Sequence, residues 1–111
     1  MRVWYHVRDL ERARAFYTEL LGFTETFVDE EGQWIALDRS ETKIALAEGE
    51  PGEADEGGVA AVDVESVKSE RERLAEAGVE VGTALELHGA IRVLDVFDPD
   101  GNRIQLTEDV A

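Results

Sequence analysis

The sequence predicts an α+β fold: two βαβββ modules forming a curved, half-open mixed sheet around a cavity. Three observations carry this. One interval separates Val3 from Ala60, Tyr5 from Val62, Val7 from Val64 and Asp9 from Ser66, so a strand-then-helix opening occurs twice. Ile44-Ala45-Leu46 and Ile104-Gln105-Leu106 close the two halves with the same apolar pattern. At 111 residues each half is too short to bury a core alone, so the halves must pack together or with a second copy. The expected organisation is a single domain, with module 1 about 1–48, an acidic linker about 49–58 and module 2 about 59–111.

Residues 2–7 alternate strictly, with Val3, Tyr5 and Val7 on one face and Arg2, Trp4 and His6 on the other, which is the period of a half-buried strand. Asp9 then caps a helix whose apolar stripe is Leu10, Ala13, Phe16, Tyr17, Leu20 and Leu21, and Gly22 ends it. Strands follow over about 24–29, 33–38 and 43–48, separated by turns at Glu30-Glu31-Gly32 and near Ser40-Glu41. The second module repeats the plan with a strand over about 59–64 and a helix from Ser66 to Ala77. That helix has a thinner apolar face of Val67, Leu74 and Ala77. Strands over about 80–87, 91–97 and 103–107 complete it, the last two joined by the tight turn Asp98-Pro99-Asp100-Gly101-Asn102.

Composition narrows the function. A formal charge of −15 argues against nucleic acid or an anionic membrane as partner, because both need a basic footprint. It reads as solubility, in a salty or hot setting, or as attraction for a cationic ligand. With no cysteine there is no disulfide, thiolate metal site or cysteine nucleophile. Nothing reads as a signal peptide or a membrane span, so the expected compartment is the cytoplasm.

Two segments resemble the vicinal oxygen chelate superfamily, which includes glyoxalase I, bleomycin-resistance proteins and extradiol dioxygenases. The first runs from Val7 to Phe23, with its Asp9-Leu10 start, Phe16-Tyr17 pair and Leu21-Gly22-Phe23 stop. The second runs from Phe97 to Leu106. The resemblance implies the glyoxalase-like fold and, in many members, a divalent metal at the sheet centre that binds two vicinal substrate oxygens. Its four ligand positions fall here on Arg2, Ala45, Val59 and Gln105. Arg2 offers only donors and a fixed positive charge, Ala45 and Val59 have no ligating atom, and Gln105 alone could ligate. No metal and no cofactor is therefore expected.

The same strand parity places other polar residues on the cavity face. Trp4 and His6 follow Arg2, Lys43 neighbours Ala45, and Asp63 follows Val59. Arg103 flanks Gln105, and Asp95 joins them unless a bulge reverses the penultimate strand. His6 and Asp63 occupy equivalent positions of the repeat and could form a proton-transfer dyad, or could each lie at the wet mouth of the cavity. Arg2 could bind a carboxylate, phosphate or enolate oxygen, or pair with the chain's own carboxylates. Trp4 and Trp34 could be stacking walls for a flat ligand; for Trp34, core packing is the competing expectation. His88 is expected in a loop.

These residues support a small-molecule binding protein that works without the family's usual metal. The alternative is a lyase or isomerase acting on a small carbonyl compound, metal-free or with a rearranged metal site, using Arg2 as electrophile and His6 with Asp63 as base. A subunit of a larger enzyme that merely inherits the pocket is a third reading. The exposed edges of an open sheet, and the habit of short relatives, imply a homodimer with cavities at or near its two-fold axis.

Overall fold

The computed structural model describes residues 2–52 and 57–110. Strands β1 (Val3–Val7), β2 (Thr24–Val28), β3 (Trp34–Arg39) and β4 (Thr42–Glu48) form one sheet in the order β1-β4-β3-β2. The second sheet holds β5 (Ala60–Asp63), β6 (Glu80–Val81), β7 (Leu85–Leu87), β8 (Ile91–Phe97) and β9 (Arg103–Asp109). Its order is β5-β9-β8-β6, with β7 also on β8. β1 runs parallel to β4 and β5 runs parallel to β9; the other pairs are antiparallel. The repeat extends to register, since Tyr5 opposes Leu46 as Val62 opposes Leu106.

Helix α1 (Leu10–Ala15) begins where the Asp9 carboxylate accepts from the Arg12 amide, and α2 (Val67–Glu76) begins where Ser66 Oγ accepts from the Ser69 amide. Each cap satisfies an amide that lacks an intrahelical partner. A regular helix was expected as far as Gly22; instead Phe16–Leu20 winds as a wider π turn, with the Leu21 amide bonded to the Phe16 carbonyl at 3.3 Å. The wider turn lets Phe16, Tyr17 and Leu21 all be buried. Thr18 Oγ1 donates to the Arg14 carbonyl at 2.7 Å, occupying the acceptor that the Thr18 amide would use in an α-helix. Gly22 ends the segment at a φ of +72°.

Tyr5, Val7, Ile35, Leu37, Ile44 and Leu46 of the first sheet pack with α1 into the same core as Val62, Leu94, Val96, Ile104 and Leu106 of the second. α2 buries only Val67 and Leu74, the thin face its sequence implies. Three strand bounds depart from expectation. The stretch 80–87 is two strands rather than one, because its register against β8 slips by one residue between Val81↔Val96 and Leu85↔Val93; the Gly82 amide still bonds the Asp95 carbonyl before the chain departs. β9 continues to Asp109, and β5 is shorter at both ends than 59–64. Only the ends of the linker are described; the rest of it, 53–56, lies outside the described residues.

Side chains from the second module hold β1 in place. Tyr5 Oη donates to the Arg103 carbonyl at 2.7 Å and accepts from the Ala60 amide at 2.9 Å. Asn102 Nδ2 donates to the His6 carbonyl at 3.0 Å, and the Arg8 amide donates to Asp100 Oδ1 at 3.2 Å. Tyr17 Oη donates at 2.7 Å to the buried Asp98 carboxylate, which also accepts from the Asp100 and Asn102 amides and from Asn102 Nδ2. Gly57 passes so close to β1 that a Cβ there would meet the Trp4 carbonyl oxygen at 2.4 Å.

Candidate functional site

The face of the first sheet away from the helices is built by the alternation seen in the sequence. Ile35, Leu37, Ile44 and Leu46 point into the core, so Trp34, Ala36 and Asp38 of β3 and Lys43, Ala45 and Ala47 of β4 point the other way. Trp4 and His6 of β1 join them. On β2 the register shifts between Glu25 and Phe27, which puts Phe27 opposite Ala36 on this open face. Glu25 stays on the helix side, where Arg14 grips its carboxylate at 2.7 and 2.8 Å and lowers its pKa.

The outcome is an aromatic shelf. Trp4 and Phe27 sit on the two outer strands, whose backbones are roughly 14 Å apart at ordinary strand spacing. Yet the Trp34 ring lies 5.1 Å from the Trp4 ring and 4.8 Å from the Phe27 ring, centroid to centroid. The three rings therefore converge above Ala45 and Ala36, which are buried although they face away from the helices. Trp4 keeps 43% and Phe27 49% of its surface exposed. Arg2 and Lys43 flank one end, both paired with Asp38: Arg2 Nη1 to Oδ1 at 3.0 Å, Lys43 Nζ to Oδ2 at 2.8 Å. The Lys43 hydrogen bond, with help from Arg2, holds the Asp38 carboxyl below its ordinary value. Arg2 Nη1 also donates to the Ile44 carbonyl at 2.7 Å.

On the second sheet β8 pairs with β9 without a shift, so Asp95 does share the open face with Arg103 and Gln105. Its carboxylate accepts from Arg103 Nη1 and Gln105 Nε2, each at 3.3 Å. Lys43, Val59 and Asp63 meet elsewhere, with Glu41, in a cleft of about 300 Å³ between β4 and β5. His6 and Asp63 are not brought together. Thr107 Oγ1 donates to Asp63 Oδ1 at 2.6 Å, His6 packs beside Gly49, and no hydrogen bond joins the two among the described residues. His88 lies in the turn after β7, at a φ of +55°.

The four inherited ligand positions do not fit a divalent cation. Arg2 is an ion-paired guanidinium, Ala45 is fully buried and Val59 half-buried without a donor atom, and the Gln105 amide is engaged with Asp95. Among the described residues no group of three His, Cys, Asp or Glu side chains could hold a metal, and no helix is long and apolar enough to cross a membrane.

A family profile described as the glyoxalase/bleomycin resistance protein/dioxygenase superfamily matches residues 2–106. The chain belongs to this superfamily. Among solved structures, this glyoxalase-superfamily chain is similar to integron cassette protein HFX_CASS4 from the mobile metagenome of the Halifax Harbour sewage outfall. The TM-score is 0.81 at 25% identity, covering 97% of this chain and 96% of that one. A putative glyoxalase family protein from Bacillus anthracis gives 0.77 at 24%, covering 97% and 92%. TnmS3, an antibiotic-binding protein from Streptomyces sp. CB03234, gives 0.73 at 23%, covering 97% and 93%. Comparison with curated proteins gave no match.

Sequence reasoning anticipated Trp4 on this face and left Trp34 between cavity and core. It missed Phe27 and Asp38. The alternation of Ile35 and Leu37 with Trp34, Ala36 and Asp38 was the available signal on β3. For Phe27 there was none, since the bulge that turns it outward leaves no mark in the residue pattern.

Proposed function

We propose that this superfamily member binds a small organic molecule in its cavity, on the aromatic shelf, without the metal centre many of its relatives use. The observation that carries the reading is the shelf itself. Rings of this size are normally covered in a folded chain, and three converging on an open sheet face, tilted 44° and 35° to one another, leave Trp4 and Phe27 exposed for an aromatic body to stack on. The lack of suitable ligating atoms at Arg2, Ala45 and Val59 supports the metal-free part, and one protein of similar structure, TnmS3, binds an antibiotic. We also infer a cytoplasmic homodimer, in which a second copy stands over the open faces and closes the cavity.

A thermal-shift screen of flat aromatic compounds, hydroxy acids, aldehydes and divalent metals tests this, because a ligand that binds only the folded chain raises its apparent stability. Aromatic compounds should shift the midpoint, and Trp4→Ala should weaken the best of them about ten-fold. Stoichiometric Zn, Ni, Mn or Fe bound at Gln105 would overturn the metal-free reading. A chain that sediments as a monomer at micromolar concentration, with affinity intact, would overturn the shared cavity.

A further inference from the structure

The shelf has a charged border, and the border carries a choice of ligand. Phe27 and Trp34 flank the turn from β2 to β3, and that turn carries Asp29, Glu30 and Glu31 in succession. By strand parity Asp29 shares the face of Phe27. Among the described residues none of the three has an ion-pair partner. At the opposite end Arg2 and Lys43 share the one carboxylate of Asp38, so a single net positive charge there faces three carboxylates at the turn. The whole chain adds a formal charge of −15, which enriches cations near its surface and repels anions. Exposed indole faces act in the same direction, since the negative face of the ring attracts a positive group.

We propose that the shelf selects a planar aromatic cation, its ring stacked on the exposed Trp4 indole beside the tilted Trp34 ring and its positive charge toward Asp29, Glu30 and Glu31. This rests on the binding function proposed above and adds the charge class of the ligand.

Both tryptophans of the chain lie on the shelf, so tryptophan emission, excited selectively over the two core tyrosines, reports on this site. N-methylacridinium, acridine and acridine-9-carboxylate, used at mildly alkaline pH where acridine is neutral, share one ring system and differ in charge. At low ionic strength the cation should quench at least ten-fold more tightly than the carboxylate, with acridine between them, and added KCl should narrow the gap. Glu30→Gln with Glu31→Gln, both exposed in the turn, should weaken the cation roughly five- to ten-fold and leave acridine unchanged. Equal quenching by all three probes, or a preference for the carboxylate, overturns the charge assignment and leaves the shelf as an aromatic site. Quenching by none of them, including a shelf so covered by a second copy that no probe enters, overturns the assignment together with the reading it rests on.

Discussion

Replacing Tyr17 by Phe removes one oxygen atom and tests how the two modules are joined. That oxygen belongs to a fully buried side chain of the first module and donates at 2.7 Å to Asp98 of the second. A hydrogen bond to a charged group contributes about 1.5–3 kcal/mol. The acceptor oxygen, Asp98 Oδ2, retains Asn102 Nδ2 as a donor at 2.9 Å, which argues for the lower half of that range. Tyr17→Phe should therefore cost about 2 kcal/mol. Asp98→Ala, which strips partners from the Tyr17 hydroxyl, two amides and the Asn102 amide group, should cost more, about 3–5 kcal/mol. In urea, at fixed protein concentration, a 2 kcal/mol loss moves the midpoint down by roughly 1 M at an ordinary slope. The double variant should cost clearly less than the two singles combined, because both remove the same bond. A midpoint unmoved in Tyr17→Phe, or strict additivity in the double variant, would refute the idea that this bond links the modules.

Alkaline pH gives a second readout of the same pair. Burial, reinforced by the nearby Asp98 charge, holds the Tyr17 phenol well above its ordinary value of 10.0. The folded chain thus keeps a proton that the unfolded chain releases above pH about 10, and stability should fall with rising pH there by up to ~1.4 kcal/mol per pH unit. Urea midpoints measured across that range should show the slope in the parent and a clearly shallower one in Tyr17→Phe, which keeps the other buried phenol, Tyr5. Gly57→Ala forces a methyl group toward the Trp4 carbonyl and should cost about 1–3 kcal/mol in the same denaturation, with a shift in tryptophan emission. Adding molar KCl should raise the melting temperature by about 5 °C or more, since 26 acidic against 11 basic residues repel one another in the compact state. A flat or falling melting temperature across the KCl series would contradict that.

The parts of this fold that depend on local chemistry could be read from the residues. Asp9 and Ser66 cap the helices because their short side chains reach a free amide, and the alternation of β1 puts Trp4 opposite Tyr5 whatever else happens. The repeat gave the order of the elements along the chain, while the pairing of the strands came only with the structure. What stayed hidden depends on contacts between distant segments. The break between β6 and β7 reflects a one-residue slip in their register against β8, and the π turn reflects what Phe16 and Leu21 find in the core. The site follows the same division. The inward and outward sets of β3 and β4 were legible, as was a carboxylate partner for Arg2, whereas the turning of Phe27 and the identity of that partner, Asp38, were not. The separation of His6 from Asp63 was also invisible, because equivalence in a repeat says nothing about proximity.

The clasp on β1 bears on how the chain is made. The groups that hold the first strand, from Asp98 to Arg103, leave a ribosome well after the tyrosines they bind, 81 residues after Tyr17 for Asp98 and 98 after Tyr5 for Arg103. Until that late turn emerges, both phenols lack their partners and the amino-terminal half lacks its far wall. Each nascent chain must therefore carry an unfinished, aromatic-rich half while the intervening residues are added. Closing so long a loop is slow compared with forming a helix or a hairpin. A strongly acidic chain is well suited to that wait, since unfinished copies on neighbouring ribosomes repel one another.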